Sequence, residues 1–346
     1  MDVGFRTLHL HKRFPLAISR GTITGSDNLF VSVSEGGLTG WGEMAPGDTE
    51  GAGSPDEGER QLRAFVADGG LDAGSIHATW ATMRAAGVAP CAMAALDMAL
   101  WDLRAKQAGL PLYRLLGLGR RAVPTSLTVG INPPEVVRER VPLLLAQGAR
   151  ALKIKLGVPE GLDADKAMFA AVLEAAAGSG VVLRVDANGG WSLEQARHMM
   201  AWLAERGVEY VEQPLVRGAE DQLPALFANR PLPIFVDESC RMSGDIPAFA
   251  QAVDGVNLKL MKCGGLTEAL RIVATARAHG LETMIGCMGE SSISIAAGAA
   301  LSELFDYIDL DSHLNLAPDP ATGVPLEGGR VLPGERPGHG GRLHDA

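Results

Sequence analysis

The chain has 346 residues, of which 47% are apolar and 21% charged, enough apolar side chain for a sizeable core and too much for a disordered chain. Its formal net charge is -10, from 41 acidic and 31 basic residues, which disfavours a general nucleic-acid binder, whose footprint would be a basic patch. The length fits one large domain with a smaller companion.

The order of the elements refines this. Segment 2–12 alternates weakly as a strand, and NLFVSVSEGGLTGWGE (28–43) reads as a hairpin turning at Glu35-Gly36-Gly37. GDTEGAGSPDEG (47–58) reads as a mobile loop. Helical patterns follow in ERQLRAFVAD (59–68) and PCAMAALDMALWDLRAKQAG (90–109), the second stopped by Gly109 and Pro111. Strands followed by helices define an α+β unit over 1–120.

From there the rhythm changes. Short β-like runs recur at SLTVGI (126), ALKIKLG (151), VVLRVDAN (181), VEYVEQP (208), PIFVDES (233), GVNLKLM (255), ETMIGCM (282) and YIDLDSH (307). Helix-like stretches such as SLEQARHMMAWLAERG and LTEALRIVATARAHG fill the gaps. Eight strands alternating with helices indicate a barrel over 121–317. The eighth run leads into a Gly/Pro-rich tail instead of a helix, so the expected fold is α/β, a (β/α)7β TIM-type barrel, with the tail 318–346 returning to the first domain. Cys91, Cys240, Cys263 and Cys287 are scattered, with no Cys/His metal spacing, and read as free thiols in a reducing compartment. No signal-peptide core and no apolar span of about 18 residues is present. A cytoplasmic enzyme without membrane or nucleic-acid partners is expected.

Polar residues gather at one end of the eight runs: Lys153 and Lys155, Asp186 and Asn188, Glu212, Asp237 and Glu238, Lys259 and Lys262, Glu290, Asp309 and Asp311. In a barrel those strand ends converge on one mouth. Asp186, Glu212 and Asp237 are 26 and 25 residues apart, one βα unit each. Singly, each could cap a helix or pair with a lysine; in the same register, three carboxylates with no sulfur or imidazole suit Mg²⁺. Lys155 and Lys259 fall half a barrel apart and would face one another beside that metal. A lysine acts as a base only when its pKa drops, and Lys153, two residues from Lys155 on the same strand face, supplies a like charge. Lys262 and Glu290 are open between surface and catalytic roles, and KCGGL (262–266) reads as a plain turn before a helix.

KIK (153–155), VDAN (185–188), VEQPL (211–215), DES (237–239) and NLKLMKCGGL (257–266), with GWGE (40–43) and ALDMALWDL (95–103), resemble the enolase superfamily, muconate-lactonizing subgroup, over nearly the whole chain. The resemblance implies that the first unit is a capping domain. It implies that Asp186, Glu212 and Asp237 bind one Mg²⁺ per subunit, that Lys155 and Lys259 are the acid/base pair, and that a proton α to a carboxylate is abstracted. Enolase-superfamily sites of this kind, a Lys base with Mg²⁺ at an enediolate, are a known pattern. DLDSH is similar to the Asp-x-Asp of dipeptide epimerases, so Asp309 and Asp311 would grip a substrate ammonium and repel anionic tails. GCMGESS (286–292) resembles their seventh-strand segment. ISRG (18–21) looks like the N-terminal loop of L-Ala-D/L-Glu epimerases, where Arg20 would bind the glutamate side chain. Thr128 and Lys153 join the substrate-binding set, and Asn188, Glu238 and Met288 support it. The resemblance thus implies an isomerase that epimerises dipeptides, L-Ala-D/L-Glu in peptidoglycan recycling; a homo-oligomer is a separate expectation. An N-acylamino acid racemase, o-succinylbenzoate synthase, cycloisomerase or non-catalytic metal- or ligand-binding barrel are the alternatives. One departure is His339, where the family more often has Leu; it is expected to be a fringe change.

Overall fold

In a computed structural model of the chain, residues 1–19, 21–72 and 74–344 are described. Strands β1 (Asp2–Ile18), β2 (Gly21–Glu35) and β3 (Leu38–Met44) form an antiparallel sheet in that order. The expected hairpin is present, with Gly36 and Gly37 at φ 59° and 77°, a backbone region that favours glycine. β1 and β2 run further than their sequences announced, pairing as far as Ile18 and Gly21. Their outer halves are exposed or half-buried on both faces, so no clean alternation marks them.

Three helices follow, α1 (Pro55–Ala67), α2 (Ile76–Ala85) and α3 (Pro90–Gln107); α1 and α3 cover the sheet and α2 packs on α3. The GWGE motif now has a steric reason. A Cβ at Gly40 would stand 2.0 Å from the Ala99 carbonyl oxygen, and one at Gly42 1.9 Å from that of Ala95. Two glycines on one face of β3 therefore let α3 lie directly on the strand, through alanines four residues apart.

Two expectations are corrected here. The loop at 47–58 is largely built structure. Gly47 N donates to the Ala52 carbonyl (2.8 Å), Asp48–Glu50 form a 3-10 turn, and Ser54 caps α1 by accepting from Glu57 N, with Pro55 at the first turn. Ser-Pro-Asp-Glu is a helix-start signal hidden among small residues. His339 is not a fringe position. It is buried; its Nε2 donates to the Trp41 carbonyl (2.9 Å), its Nδ1 accepts from Gly341 N (3.0 Å), and its backbone N–H donates to Asp102 (2.8 Å). Together with Leu112 N donating to the Gly338 carbonyl (2.7 Å), it fastens the C-terminal tail to the end of α3.

The eight runs form one parallel sheet: β4 (Ser126–Val129), β5 (Ala151–Lys155), β6 (Val182–Asp186), β7 (Val208–Glu212), β8 (Ile234–Val236), β9 (Gly255–Lys259), β10 (Glu282–Gly286) and β11 (Tyr307–Asp309). A parallel bridge between Thr125 and Ile308 closes it into a barrel. Tyr210, Phe235, Tyr307 and Met284 pack together inside, with the Arg184 guanidinium over both tyrosine rings. The interior below the mouth is therefore a packed core. No helix among the described residues is long and apolar enough to cross a membrane.

The capping domain is tied to the barrel by two buried carboxylates. Glu43 of β3 accepts from the backbone N–H of Ser291 (2.9 Å) and Ser294 (3.2 Å), at the start of the helix Ser292–Ala299. Asp97 of α3 accepts from Thr267 N (3.1 Å) and Oγ1 (2.6 Å), at the start of the helix Leu266–Ala278. Both carboxylates complement helix N-termini. Burial nevertheless pushes each up to about 7 against those hydrogen bonds.

Candidate active site

Parallel register puts the acids side by side: Lys155 pairs with Asp186, Asp186 with Glu212, and Asp237 follows the end of β8. All three carboxylates are buried. Lys153 and Lys155, alternate residues of β5, aim their ammonium groups at the same oxygen, Asp186 Oδ2, at 3.1 and 2.5 Å. Lys153 also reaches Glu212 (2.7 Å) and Asp309 (2.7 Å). Four strands around the barrel, Lys259 lies 2.8 Å from Asp237 Oδ2, and Lys262 contacts Asp237 Oδ1.

The electrostatics follow from burial and pairing. Desolvation alone would lower Lys153, but Asp309, Glu212 and Asp186 outweigh it and hold its pKa well above the ordinary lysine value. Asp186 resists burial because Lys155 and Lys153 pull it below the usual carboxylate range. Asp237 is likewise lowered, by Lys259 and Lys262. Glu212 is pushed up to about 7, by burial first and then by the charge of Asp186. Desolvation also opposes charge on Lys259, yet Asp237 keeps its pKa raised.

Side chains that hold the acids in place surround them. Asn188 N donates to Asp186 Oδ1 (2.8 Å), and its Nδ2 reaches Asp186 Oδ2 (3.3 Å) and Glu238 Oε1 (3.5 Å). Gln213 Oε1 accepts from Asp237 N (2.8 Å) while its Nε2 donates to the Leu215 carbonyl (2.7 Å). Both residues have positive φ, 45° for Asn188 and 38° for Gln213. Such left-handed backbone in non-glycine residues costs energy and is held by its surroundings. Asn257 Nδ2 donates to Glu212 Oε1 (2.8 Å). Asn257 and Gln213 were missed in the sequence, although Asn257 shares a strand face with Lys259, two residues on. Lys262, left open before, is buried and fixed: it donates to the carbonyls of Cys240 and Asn257 (both 3.1 Å) besides Asp237. Glu290 is buried too, accepting from Met288 N (2.6 Å) and from the Ser294 hydroxyl.

A cavity of about 840 Å³ opens above this layer. Lys153, Lys155, Lys259, Thr128, Asn188, Met288, Asp309 and Asp311 reach its wall; Asp186, Glu212 and Asp237 lie behind the lysines. Asp311 accepts from Thr128 N (2.7 Å), and burial followed by the neighbouring Asp309 raises it to about 6. Asp311 stands two residues past the end of β11, at the cap position before the 3-10 turn Ser312–Asn315, so the two acids share the mouth but not the strand. Met288 Sδ is 3.9 Å from Lys259 Nζ. The β1–β2 hairpin covers the opposite side with Leu16, Ile18 and Ile23, and Ser19 Oγ donates to the Asn188 carbonyl (3.2 Å). Arg20, assigned above to a glutamate side chain, lies outside the described residues.

Gly286 sets the space for Lys259. An added Cβ would meet Asn257 Nδ2 at 2.9 Å and Lys259 Cε at 3.1 Å. On the sequence expectation that Lys259 moves a proton, Gly286→Ala is expected to displace Asn257 and Lys259 and lower kcat about tenfold or more while the melting temperature changes little, since misplacing a reacting group by about 1 Å can cost about a hundredfold. Parallel kcat and thermal-melt measurements check it.

Residues 3–117 match the N-terminal domain model of mandelate racemase / muconate lactonizing enzyme, and residues 136–346 match the enolase C-terminal domain-like model. A capped barrel with lysines on both sides of three acids defines that class, and the chain belongs to the enolase superfamily in its mandelate racemase / muconate-lactonizing group. A hydrophobic dipeptide epimerase of Roseobacter litoralis is 74% identical over 346 residues, covering 100% of both chains. A solved dipeptide epimerase from Methylococcus capsulatus, complexed with Mg and L-Arg-D-Lys, is 36% identical with a TM-score of 0.90 over 99% of both chains. One from Enterococcus faecalis, complexed with Mg and L-Leu-L-Tyr, is 34% identical with a TM-score of 0.89 over 99% of both chains.

Proposed function

We propose that this chain is a Mg²⁺-dependent dipeptide epimerase that inverts the α-carbon of the C-terminal residue and favours an apolar side chain there. The observation that carries the reading is one mouth holding Lys155 and Lys259 on opposite barrel strands, three buried carboxylates beneath them, and Asp309 and Asp311 at its rim. The dipeptide complexes and the Roseobacter relative support it.

The residues fit a divalent cation. Glu212 Oε2 and Asp237 Oδ2 are buried acceptors with no hydrogen bond, facing ammonium groups only as ion pairs. Among the described residues no three acid, cysteine or histidine side chains form a ready metal cage; the three acids pair with Lys153, Lys155 and Lys259. Asp186, Glu212 and Asp237 would hold Mg²⁺, which supplies a Lewis acid for the substrate carboxylate and makes the α-proton acidic enough for an amine base. Lys155 and Lys259, on opposite strands of the mouth, would work on opposite faces of the α-carbon. One takes the α-proton, breaking that C–H bond; the other donates a proton to form the new C–H bond. Asp309 and Asp311 hold the substrate ammonium, and Thr128 fixes Asp311 through its backbone N–H. Leu16, Ile18, Ile23, Leu127 and Met288 on the cavity wall support an apolar partner for the second side chain.

The narrower reading, L-Ala-D/L-Glu in peptidoglycan peptide recycling, stands on Arg20. A screen of L,L-dipeptides for deuterium uptake at the α-carbon, read by mass, decides between them: fastest uptake with leucine, valine or phenylalanine at the second position is expected. Fastest uptake with L-Ala-L-Glu selects the narrower reading. No uptake in any dipeptide, with turnover of a succinylbenzoate precursor, overturns both. Four free thiols, three of them buried, support a reducing, cytoplasmic setting, and assembly of copies is a matter for sedimentation.

A further inference from the structure

Strand β1 carries an interruption in its pairing with β2. His11 pairs with Gly25 and Leu16 with Ile23, so four residues, Lys12 to Pro15, stand opposite the single residue Thr24. Bulges of this kind turn a strand and re-aim its side chains, often beside active sites. Here the excursion is bolted to the loop after β11. Ala317 N donates to the His11 carbonyl (2.9 Å), and Lys12 bridges Leu316. Phe14 N donates to Asn315 Oδ1 (3.1 Å) while Asn315 Nδ2 donates back to the Phe14 carbonyl (2.8 Å). The Arg140 guanidinium covers the Phe14 ring from the barrel side at 3.2 Å.

The excursion sends Lys12 into the mouth. Its side chain lines the cavity with Ser26, Met288, Gly289 and Asp311, and a Cβ built on Gly289 would lie 3.6 Å from its Nζ. Cys287, Asp311 and Glu290 face it at longer range. Among the described residues no carboxylate lies within ion-pair distance of it and no hydrogen bond to its ammonium is made. A half-buried cation in a binding cavity without a partner is an attractive site for negative charge from a ligand and a barrier to positive charge. A dipeptide whose ammonium sits at Asp309 and Asp311 places its first α-carbon one bond away, which brings the first side chain toward Lys12.

Resting on the dipeptide reading above, we propose that Lys12 selects the first residue of the substrate, excluding cationic side chains and favouring an acidic one over its neutral isostere. Burial lowers the Lys12 pKa, with Cys287, Asp311 and Glu290 opposing, in keeping with a desolvated cation awaiting a partner. The backbone contacts of the excursion do not use the ammonium, so substitutions at Lys12 leave the hairpin docked.

The test compares kcat/KM for L-Glu-L-Leu, L-Gln-L-Leu and L-Lys-L-Leu in the parent, Lys12→Met and Lys12→Glu, each divided by the same protein's value for L-Ala-L-Leu. In the parent, Glu is expected above Gln and Lys below Gln by about tenfold each, the scale of one modest electrostatic contact. Both ratios collapse to within about twofold of one in Lys12→Met and invert in Lys12→Glu. Parent-like ratios in both variants, alongside turnover of L-Ala-L-Leu, overturn the role of Lys12 and leave the dipeptide reading standing. Absence of turnover with all four dipeptides in the parent overturns both.

Discussion

Lys155→Ala and Lys259→Ala are each expected to lose epimerisation by about 10³-fold or more in kcat, with the fold intact, because a positioned acid/base group contributes about 10²–10⁴-fold and neither amine can stand in on the other's face. The structure explains why the loss should be chemical and not structural. Asp186 is shared by two ammonium groups, so Lys155→Ala leaves it paired with Lys153 at 3.1 Å. Asp237 is shared in the same way, and Lys259→Ala leaves it with Lys262. Each acid keeps one cation, so thermal melts should match the parent within a few degrees. Epimerisation of a leucine-containing dipeptide, followed by chiral separation, gives the rates. A single variant that epimerises at the parent rate would contradict the two-base scheme.

The second large effect concerns Lys153, and it should appear in stability. Lys153 is the sole ion-pair partner of Glu212 and of Asp309 among the described residues, and it also serves Asp186. Lys153→Met therefore strands buried carboxylates. Removing one member of a buried pair costs about 3–5 kcal/mol, which for a chain of this size is a fall in melting temperature of roughly 5–10 °C without metal. Mg²⁺ held by Asp186, Glu212 and Asp237, as proposed, would bring positive charge to Asp186 and Glu212, so adding it should recover part of the loss in the variant and raise the melting temperature of the variant more than that of the parent. Differential scanning fluorimetry with EDTA and with Mg²⁺ reads both. Equal melting temperatures for variant and parent in EDTA would show that Lys153 does not neutralise these acids.

The barrel was legible because eight apolar runs repeat at one βα unit, and the acids were legible because each falls at the same end of its run. ALKIK showed the alternation that puts both lysines on one face. Residues whose importance depends on neighbours far along the chain were not legible. Lys262 on its own is a lysine at a helix entry; only the return of Asp237, Cys240 and Asn257 around it fixes its place. His339 gains its partners from Trp41 and Asp102, about 240 to 300 residues away in sequence. The helix α2 (Ile76–Ala85) was not read at all: Ser75 caps it, but its alanines and threonines make a weak stripe. The Lys12–Pro15 excursion was missed because a bulge breaks the period-two pattern on which strands are recognised.

Inversion at the α-carbon by two opposed lysines is tested most directly by the hydrogen found there. A protiated L,L-dipeptide is incubated with the Mg²⁺-loaded enzyme in D₂O and stopped at low conversion, and the L,D product is isolated for mass and NMR. Delivery from the face opposite to abstraction is expected to leave solvent deuterium at the α-carbon of every newly formed L,D molecule. Product that keeps the substrate's own α-proton would contradict it.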